Sequence, residues 1–273
     1  MPADKDYLVL FDMDGTLTAA RKKADWTMVN PLRTLSEFAD IGIVTGSPMV
    51  YLEQQCEILW SELGSVNVDC ISLFPCNGTQ SYSFSPNKKK WVVNSSTNMR
   101  DHISDTNYRN IVREILSIQA NYADRHHSMP LTGNFISDRK SMINWCPVGR
   151  DAEDSDRKAF QIFDKKHQCR KFLIRELEET LDYLGISTIT SVMGGNTSID
   201  IYPEGWDKTY VLRHVQSYEA VYFIGDRCDE YGNDRTLYEA LEPGIASFET
   251  TGPENTISHI NHITNVLRTT QNV

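Results

Sequence analysis

Eight residues near the start constrain this chain most: Phe11, Asp12, Met13, Asp14, Gly15, Thr16, Leu17 and Thr18, directly after the apolar run 7–10. A short apolar run bounded by turn residues predicts a buried strand. Two carboxylates one residue apart at its end suit phosphoryl transfer, because the first can attack phosphorus and the second can shuttle the proton. Side chains at i and i+2 share one face of an extended strand, so Asp12 and Asp14 are expected to face one pocket. Gly15 lets the chain turn sharply and approach a phosphate. The same letters also fit a surface Asp-Gly turn, and only the context separates the two.

That context is an alternation of strands and helices. Met28, Leu32, Leu35 and Phe38 predict a helix over 26–38, followed by a strand at 41–44, a helix over 49–63 and a strand at 70–74. This is the pattern of a parallel sheet covered by helices, in which chemistry gathers at the carboxyl ends of the strands. From about residue 82 the pattern changes. A hairpin over 81–95 with a basic turn at 88–90, helices at 106–123 and 169–184, and strands around 134–136, 142–148, 187–193 and 198–202 predict a separate α+β unit. The parallel pattern resumes with a helix over 206–215, a strand at 221–224, a helix at 234–241, a strand at 245–248 and a helix after Pro253. The expected fold is α/β: a Rossmann-like parallel-sheet core formed by 1–82 and 204–273, with an inserted α+β cap over 83–203.

The second half of that core supplies further site candidates. Residues 222–226 repeat the theme of an apolar strand ending in a carboxylate, Asp226, with Gly232, Asn233 and Asp234 close behind. Mg²⁺ takes oxygen ligands and bridges carboxylates to a phosphate, so Asp12, Asp14, Asp226, Asn233 and Asp234 are the metal candidates. An anionic transition state among carboxylates also needs a cation from the protein, for which Lys208 is the candidate. Thr45, next to Gly46 at another strand end, offers a hydroxyl and backbone N–H groups to phosphate oxygens. The alternatives are a solvated helix lysine and simple helix capping by Ser47.

Composition narrows the partners. A net charge of −10 argues against a general nucleic-acid binder. No run approaches the roughly 18 apolar residues of a membrane span, and the first six residues are too polar and acidic for a signal peptide. A cytoplasmic protein with no membrane partner is expected. Cys56, Cys70, Cys76, Cys146, Cys169 and Cys228 lack metal-site spacing and read as reduced thiols. His126 and His127 are adjacent, which on a helix splits them between faces, so no metal is assigned to them.

The Asp-x-Asp-Gly-Thr loop, Thr45, Lys208 and the late acidic pair together resemble the haloacid dehalogenase superfamily. Arg139, Met142, Asn144, Pro147, Val148, Gly149 and Arg150 sharpen this to a resemblance to eukaryotic phosphomannomutases. So do Gly194, Gly195, Ser198, Asp200, the run 203–210, Leu212 to Val215, Phe74-Pro75 and Asn77-Gly78, and the likeness covers nearly the whole chain. The resemblance implies that the cap closes over the core. It further implies that Arg21 from the core and Arg139, Arg150 and Arg157 from the cap grip a sugar phosphate, while Ser198 and Asp200 contact the sugar. A guanidinium forms forked bonds to phosphate, which suits that task. For Arg157, pairing with the acidic run 151–156 is the alternative.

The same resemblance implies a mutase cycle. Asp12 becomes an aspartyl phosphate at the expense of a hexose 1,6-bisphosphate activator, and Asp14 serves as acid and base as mannose 6-phosphate and mannose 1-phosphate interconvert. Glucose phosphates stay open as further substrates. Mg²⁺, cytoplasmic GDP-mannose supply and a homodimer through the cap are implied as well. The chain departs from the family pattern at Cys76, at Lys140-Ser141 and at Arg227-Cys228, which bears on substrate preference and on any second cation site. A Mg²⁺-dependent sugar-phosphate phosphatase and a catalytically silent binding protein remain the competing readings.

Overall fold

The computed structural model describes residues 5–61 and 66–270. The chain opens with β1 (Tyr7–Phe11), whose last four residues are fully enclosed, and a 3-10 turn (Trp26–Met28) that runs into α1 (Val29–Leu35). Next come β2 (Asp40–Val44), α2 (Met49–Cys56), α3 (Ile58–Ser61), β3 (Ile71–Phe74), β4 (Gln80–Ser85) and β5 (Lys90–Ser96). Then follow α4 (Met99–Ile103), α5 (Asp105–Arg125), β6 (Ile136–Asp138), β7 (Ile143–Trp145), α6 (Asp154–His167), α7 (Cys169–Tyr183), β8 (Ile189–Gly194) and β9 (Ser198–Pro203). A 3-10 helix (Lys208–His214), β10 (Ala220–Gly225), α8 (Arg235–Ala240), β11 (Ser247–Glu249) and α9 (Pro253–Thr270) complete it.

These elements form two compact units, Met1–Ser96 with Asp207–Val273, and Thr97–Trp206. The first holds a seven-stranded sheet in the order β11-β10-β1-β2-β3-β4-β5, parallel from β11 to β3. Parallel strands are covered on both faces and therefore read as unbroken apolar runs. Val9, Phe11, Ile41 and Ile43 pack with Leu32, Leu35, Ile260, Ile263 and Leu267 on one side, and Leu8, Leu10, Phe74 and Phe223 pack with Val211 and Leu237 on the other. Gly42 is needed at its place, since a Cβ there would overlap the Leu10 side chain. The hairpin β4–β5 was expected in the inserted unit, but it is antiparallel to β3 and extends the core sheet, so the unit boundaries fall after residues 96 and 206 rather than at 83 and 203.

The second unit is a four-stranded antiparallel sheet, β6-β7-β9-β8, against which α7 packs. Alternation sends Ile143, Trp145, Ile199 and Ile201 to one face, and all four are fully buried, as are Ile111 and Ile115 of α5 and Leu173 and Leu177 of α7. Gln119 of α5 satisfies the polar edge of this core, accepting from Trp145 Nε1 (2.8 Å) and donating to Pro147 O (3.0 Å). Asn144 and Asp200 share the opposite, polar parity and face each other across β7 and β9.

Several elements differ from the sequence reading. The helix expected over 49–63 breaks at Glu57 into α2 and α3, and its last two residues lie outside those described. The helix expected over 206–215 is a 3-10 helix capped by Asp207, whose side chain accepts from Thr209 N. The unexpected α6 carries a capping box between Glu153 and Asp156. No helix among the described residues is long and apolar enough to cross a membrane, and all six cysteines are free.

Candidate active site

Asp226, Asp12 and Thr45 directly follow three adjacent parallel strands, β10, β1 and β2 respectively. Sheet pairing continues one residue past β1, where Asp12 N–H donates to Ile224 O (2.9 Å), and this holds Asp12 beside the end of β10. Oxygens of Asp12, Asp226 and Asp234 lie within 4.8 Å of one another, the single such group of metal-capable acids, histidines and cysteines among the described residues. Asp234 is fully buried, and its Oδ2 accepts from Arg227 N (2.9 Å) while its own N–H donates to Arg227 O (3.0 Å). Those reciprocal bonds fold the 227–234 loop back so that Asp234 points under the sheet end. Gly15 and Gly225 keep the centre open: a Cβ on Gly15 would overlap the Asp226 carboxylate, and one on Gly225 would lie 2.7 Å from Asp234 Oδ2.

Lys208 is wholly enclosed, and its ammonium bonds both Asp12 and Asp234. Burial works against the charged lysine, but the two carboxylates outweigh it and raise the Lys208 pKa. Burial lifts Asp12 well above the ordinary carboxylate range, Asp234 and Asp226 push the same way, and Lys208 opposes them. Asp226 is raised to about 6, by burial first and by Asp234 second. Its Oδ1 is buried without a hydrogen-bond partner among the described residues. Three carboxylates thus lie together, two of them bonded to one ammonium, and the third carries a buried oxygen without a partner among the described residues. That donor set fits a hard divalent cation with oxygen ligands.

Asp14 does not join the three acids. The strand ends at Phe11, so the two-residue alternation expected to align Asp12 and Asp14 stops one residue too soon. Met13 instead turns into the core and Asp14 forms a bridge with Thr18. The Asp14 Oδ1 accepts from Arg21 N–H (2.6 Å) and from the amide of Gln55, whose nitrogen, placed by its hydrogen-bond partners, also donates to Lys22 O (2.9 Å). Arg21 itself is exposed, with φ +60. Asn233 is half-buried on the turn before Asp234. The Thr45 hydroxyl is buried and accepts from Ser47 N–H (3.1 Å), which leaves its own proton available to an acceptor, and α2 is capped by Pro48 rather than by Ser47.

The second unit assembles the remaining candidates on the polar side of its sheet. Asp200 Oδ1 accepts from Asn144 Nδ2 (2.6 Å) and lies 3.9 Å from Arg139 Nη1, with both charged groups buried. Asn144 Oδ1 in turn accepts from Arg150 Nη1 (2.5 Å). Arg157 reaches inward, donating to Ala152 O (3.0 Å), Thr197 Oγ1 (2.8 Å) and Arg150 O (2.8 Å). Its guanidinium is therefore part of this chain of contacts, and Ser198 Oγ donates to Gly194 O (2.6 Å) at the end of the same hairpin. Arg170, which the sequence did not single out, braces that hairpin by binding Asp164 Oδ2 (2.8 Å), Gly195 O (3.0 Å) and Ser198 O (3.2 Å). Asn144 and Gln55 were likewise missed as site residues, because amides that orient charged groups leave no spacing signal.

A family model described as eukaryotic phosphomannomutase matches residues 28–266. A phosphomannomutase from Nicotiana benthamiana is 31% identical over 260 residues, covering 94% of each chain. One from Schizosaccharomyces pombe is 31% identical over 263 residues, covering 95% of each. Among solved structures, the Plasmodium falciparum IMP-nucleotidase superposes with a TM-score of 0.67 at 12% identity, over 96% of this chain and 63% of that one. The C-terminal domain of Candida albicans trehalose-6-phosphate phosphatase superposes with a TM-score of 0.55 at 16% identity, over 96% and 93%. These two show a shared fold.

Proposed function

The chain belongs to the eukaryotic phosphomannomutase family, and on that premise we propose that it interconverts mannose 6-phosphate and mannose 1-phosphate through a phosphorylated Asp12. The observation that carries the reading is the Asp12, Asp226 and Asp234 group with its single enclosed ammonium, Lys208, at the carboxyl end of a parallel sheet. In the first step an Asp12 carboxylate oxygen bonds to phosphorus of a hexose 1,6-bisphosphate. The phosphorus bond to the sugar oxygen breaks, and Asp14 gives that oxygen a proton. In the second step Asp14 takes the proton from a hydroxyl of the monophosphate, whose oxygen attacks the same phosphorus and frees Asp12.

Lys208 offsets charge on Asp12 and on the transferring group, and the Thr45 hydroxyl donates to a phosphoryl oxygen. Asp12, Asp226 and Asp234 would hold Mg²⁺, with Asn233 as a neighbouring oxygen donor. The ion supplies positive charge that draws electron density from the phosphoryl oxygens. The Asp14 side chain, held by Arg21 N–H and Gln55, is assigned to proton transfer rather than to the metal. Arg139, Arg150 and Arg157, with Arg21, grip the phosphate that is not transferred, and Ser198 and Asp200 select the sugar. A forked, charge-based grip suits a ligand that must be held by either end.

We place this activity in the cytoplasm, in a homodimer that associates through the second unit. A coupled assay with mannose 1-phosphate tests the reading. Turnover that depends on added hexose 1,6-bisphosphate supports it, while steady release of inorganic phosphate without sugar interconversion identifies a phosphatase instead.

A further inference from the structure

Two stretches far apart in sequence, Asn77-Gly78 and Leu212-Arg213-His214, meet in the first unit. The turn after β3 grips the Thr45 loop through its backbone, with Cys76 N–H donating to Ser47 O (3.0 Å) and Asn77 N–H to Thr45 O (2.8 Å). Both donors sit in the left-handed region, Cys76 at φ +50 and Asn77 at φ +63, where side-chain-bearing residues stay only if their surroundings hold them. On its other side the turn meets the 3-10 helix that begins at Lys208. Gly78 is at φ +83, and a Cβ there would lie 2.9 Å from Val211 Cα. Its carbonyl accepts from His214 Nε2 (2.8 Å), and the His214 ring stacks on Phe74 with centroids 5.8 Å apart and planes 20° from parallel.

Lys208 and His214 are the two ends of that one helix, and Asp207 caps its start. We propose that His214 is a positioning residue that locks the Thr45 arm to the Lys208 arm. The hydroxyl and the ammonium then keep a fixed separation around the phosphoryl group. This rests on the phosphoryl-transfer reading of the site. The acceptor is a carbonyl, so Nε2 carries the proton, and what the clamp requires of the side chain is a donor at that reach.

The test compares His214→Phe, which keeps the ring stack and removes the donor, with His214→Gln, which keeps a donor. Misplacing a reacting group by an ångström costs up to about 100-fold in rate, so His214→Phe is expected to lower kcat about 10- to 100-fold with KM and thermal midpoint little changed. His214→Gln is expected to recover most of the loss. Gly78→Ala opens the same clamp from the loop side and should reproduce the kcat loss, which covers the case in which His214→Phe does not fold. Wild-type kcat in His214→Phe or in Gly78→Ala, or an equal fall in His214→Gln and His214→Phe, would overturn the proposal. All variants are assayed on mannose phosphates and on acetyl phosphate hydrolysis. A wild type inert on mannose phosphates fails the substrate reading, while the pattern on acetyl phosphate still decides the clamp.

Discussion

Three carboxylates cluster with one ammonium at the end of the core sheet, whereas in the second unit Arg139 approaches the Asp200 carboxylate and Arg150 and Arg157 bond to neutral groups linked to it. In the first region the acids outnumber the fixed cation, pKa values rise, and an acidic oxygen has no partner. In the second, the guanidinium donors run through Asn144, Thr197 and backbone carbonyls, groups that accept hydrogen bonds without cancelling charge. One region therefore carries an excess of acid, and the other an excess of guanidinium charge. A metal-bearing phosphoryl-transfer centre and a phosphate grip need those opposite signs.

Four changes break or sharpen this contrast, taken from the largest effect down. Asp12→Asn removes the nucleophile and should lower turnover by at least about 10⁴-fold in the coupled assay, with sugar-phosphate binding by calorimetry retained. Lys208→Met leaves two buried acids without their cation and should destabilise the metal-free protein by about 3–5 kcal/mol in urea unfolding. Arg150→Met on the opposite pole removes charged hydrogen bonds to phosphate of about 1.5–3 kcal/mol and should raise KM about 10- to 100-fold, with a much smaller change in kcat.

The smallest effect concerns pH and metal. A carboxyl group whose pKa is raised by folding costs nothing while it is protonated in both states, and it costs stability once the folded form must ionise. For Asp226, raised to about 6, stability should fall as pH rises from about 4 to about 6 and stay reduced above it. Thermal unfolding without metal should therefore give a lower midpoint at pH 7.5 than Asp226→Asn does, with the gap closing at pH 4. Adding Mg²⁺ should raise the wild-type midpoint at pH 7.5 more than that of Asp226→Asn.

Much of the core centre was legible in the sequence because Asp12, Asp226 and Thr45 directly follow apolar strands, and a parallel sheet brings such ends together, while Asp234 is brought in by the loop after β10. Lys208 lies on no strand, and the sequence offers it on charge grounds alone, as the cation an anionic centre needs, with a solvated helix lysine as the alternative. Asp14 was misaligned because strand alternation was carried past Phe11, whereas buried Met13 already belongs to the turn. The hairpin β4–β5 was given to the wrong unit, since nothing in its alternation tells which sheet edge it joins. Helix α6 went unread because its buried stripe is only Phe160, Phe163 and Asp164 amid charged residues, although the Glu153 and Asp156 cap was there to find. The facing of Asn144 and Asp200 depends on register between strands more than fifty residues apart, which no local pattern records.

The central claim is that Asp12 carries phosphorus from one sugar to the next. Mixing the enzyme and Mg²⁺ with phosphorus-32-labelled hexose 1,6-bisphosphate, quenching in acid and mapping peptides tests it directly. The account predicts label on the peptide that contains Asp12, chased into hexose phosphate on adding mannose 1-phosphate. Label on another residue, or label released only as inorganic phosphate, would contradict it.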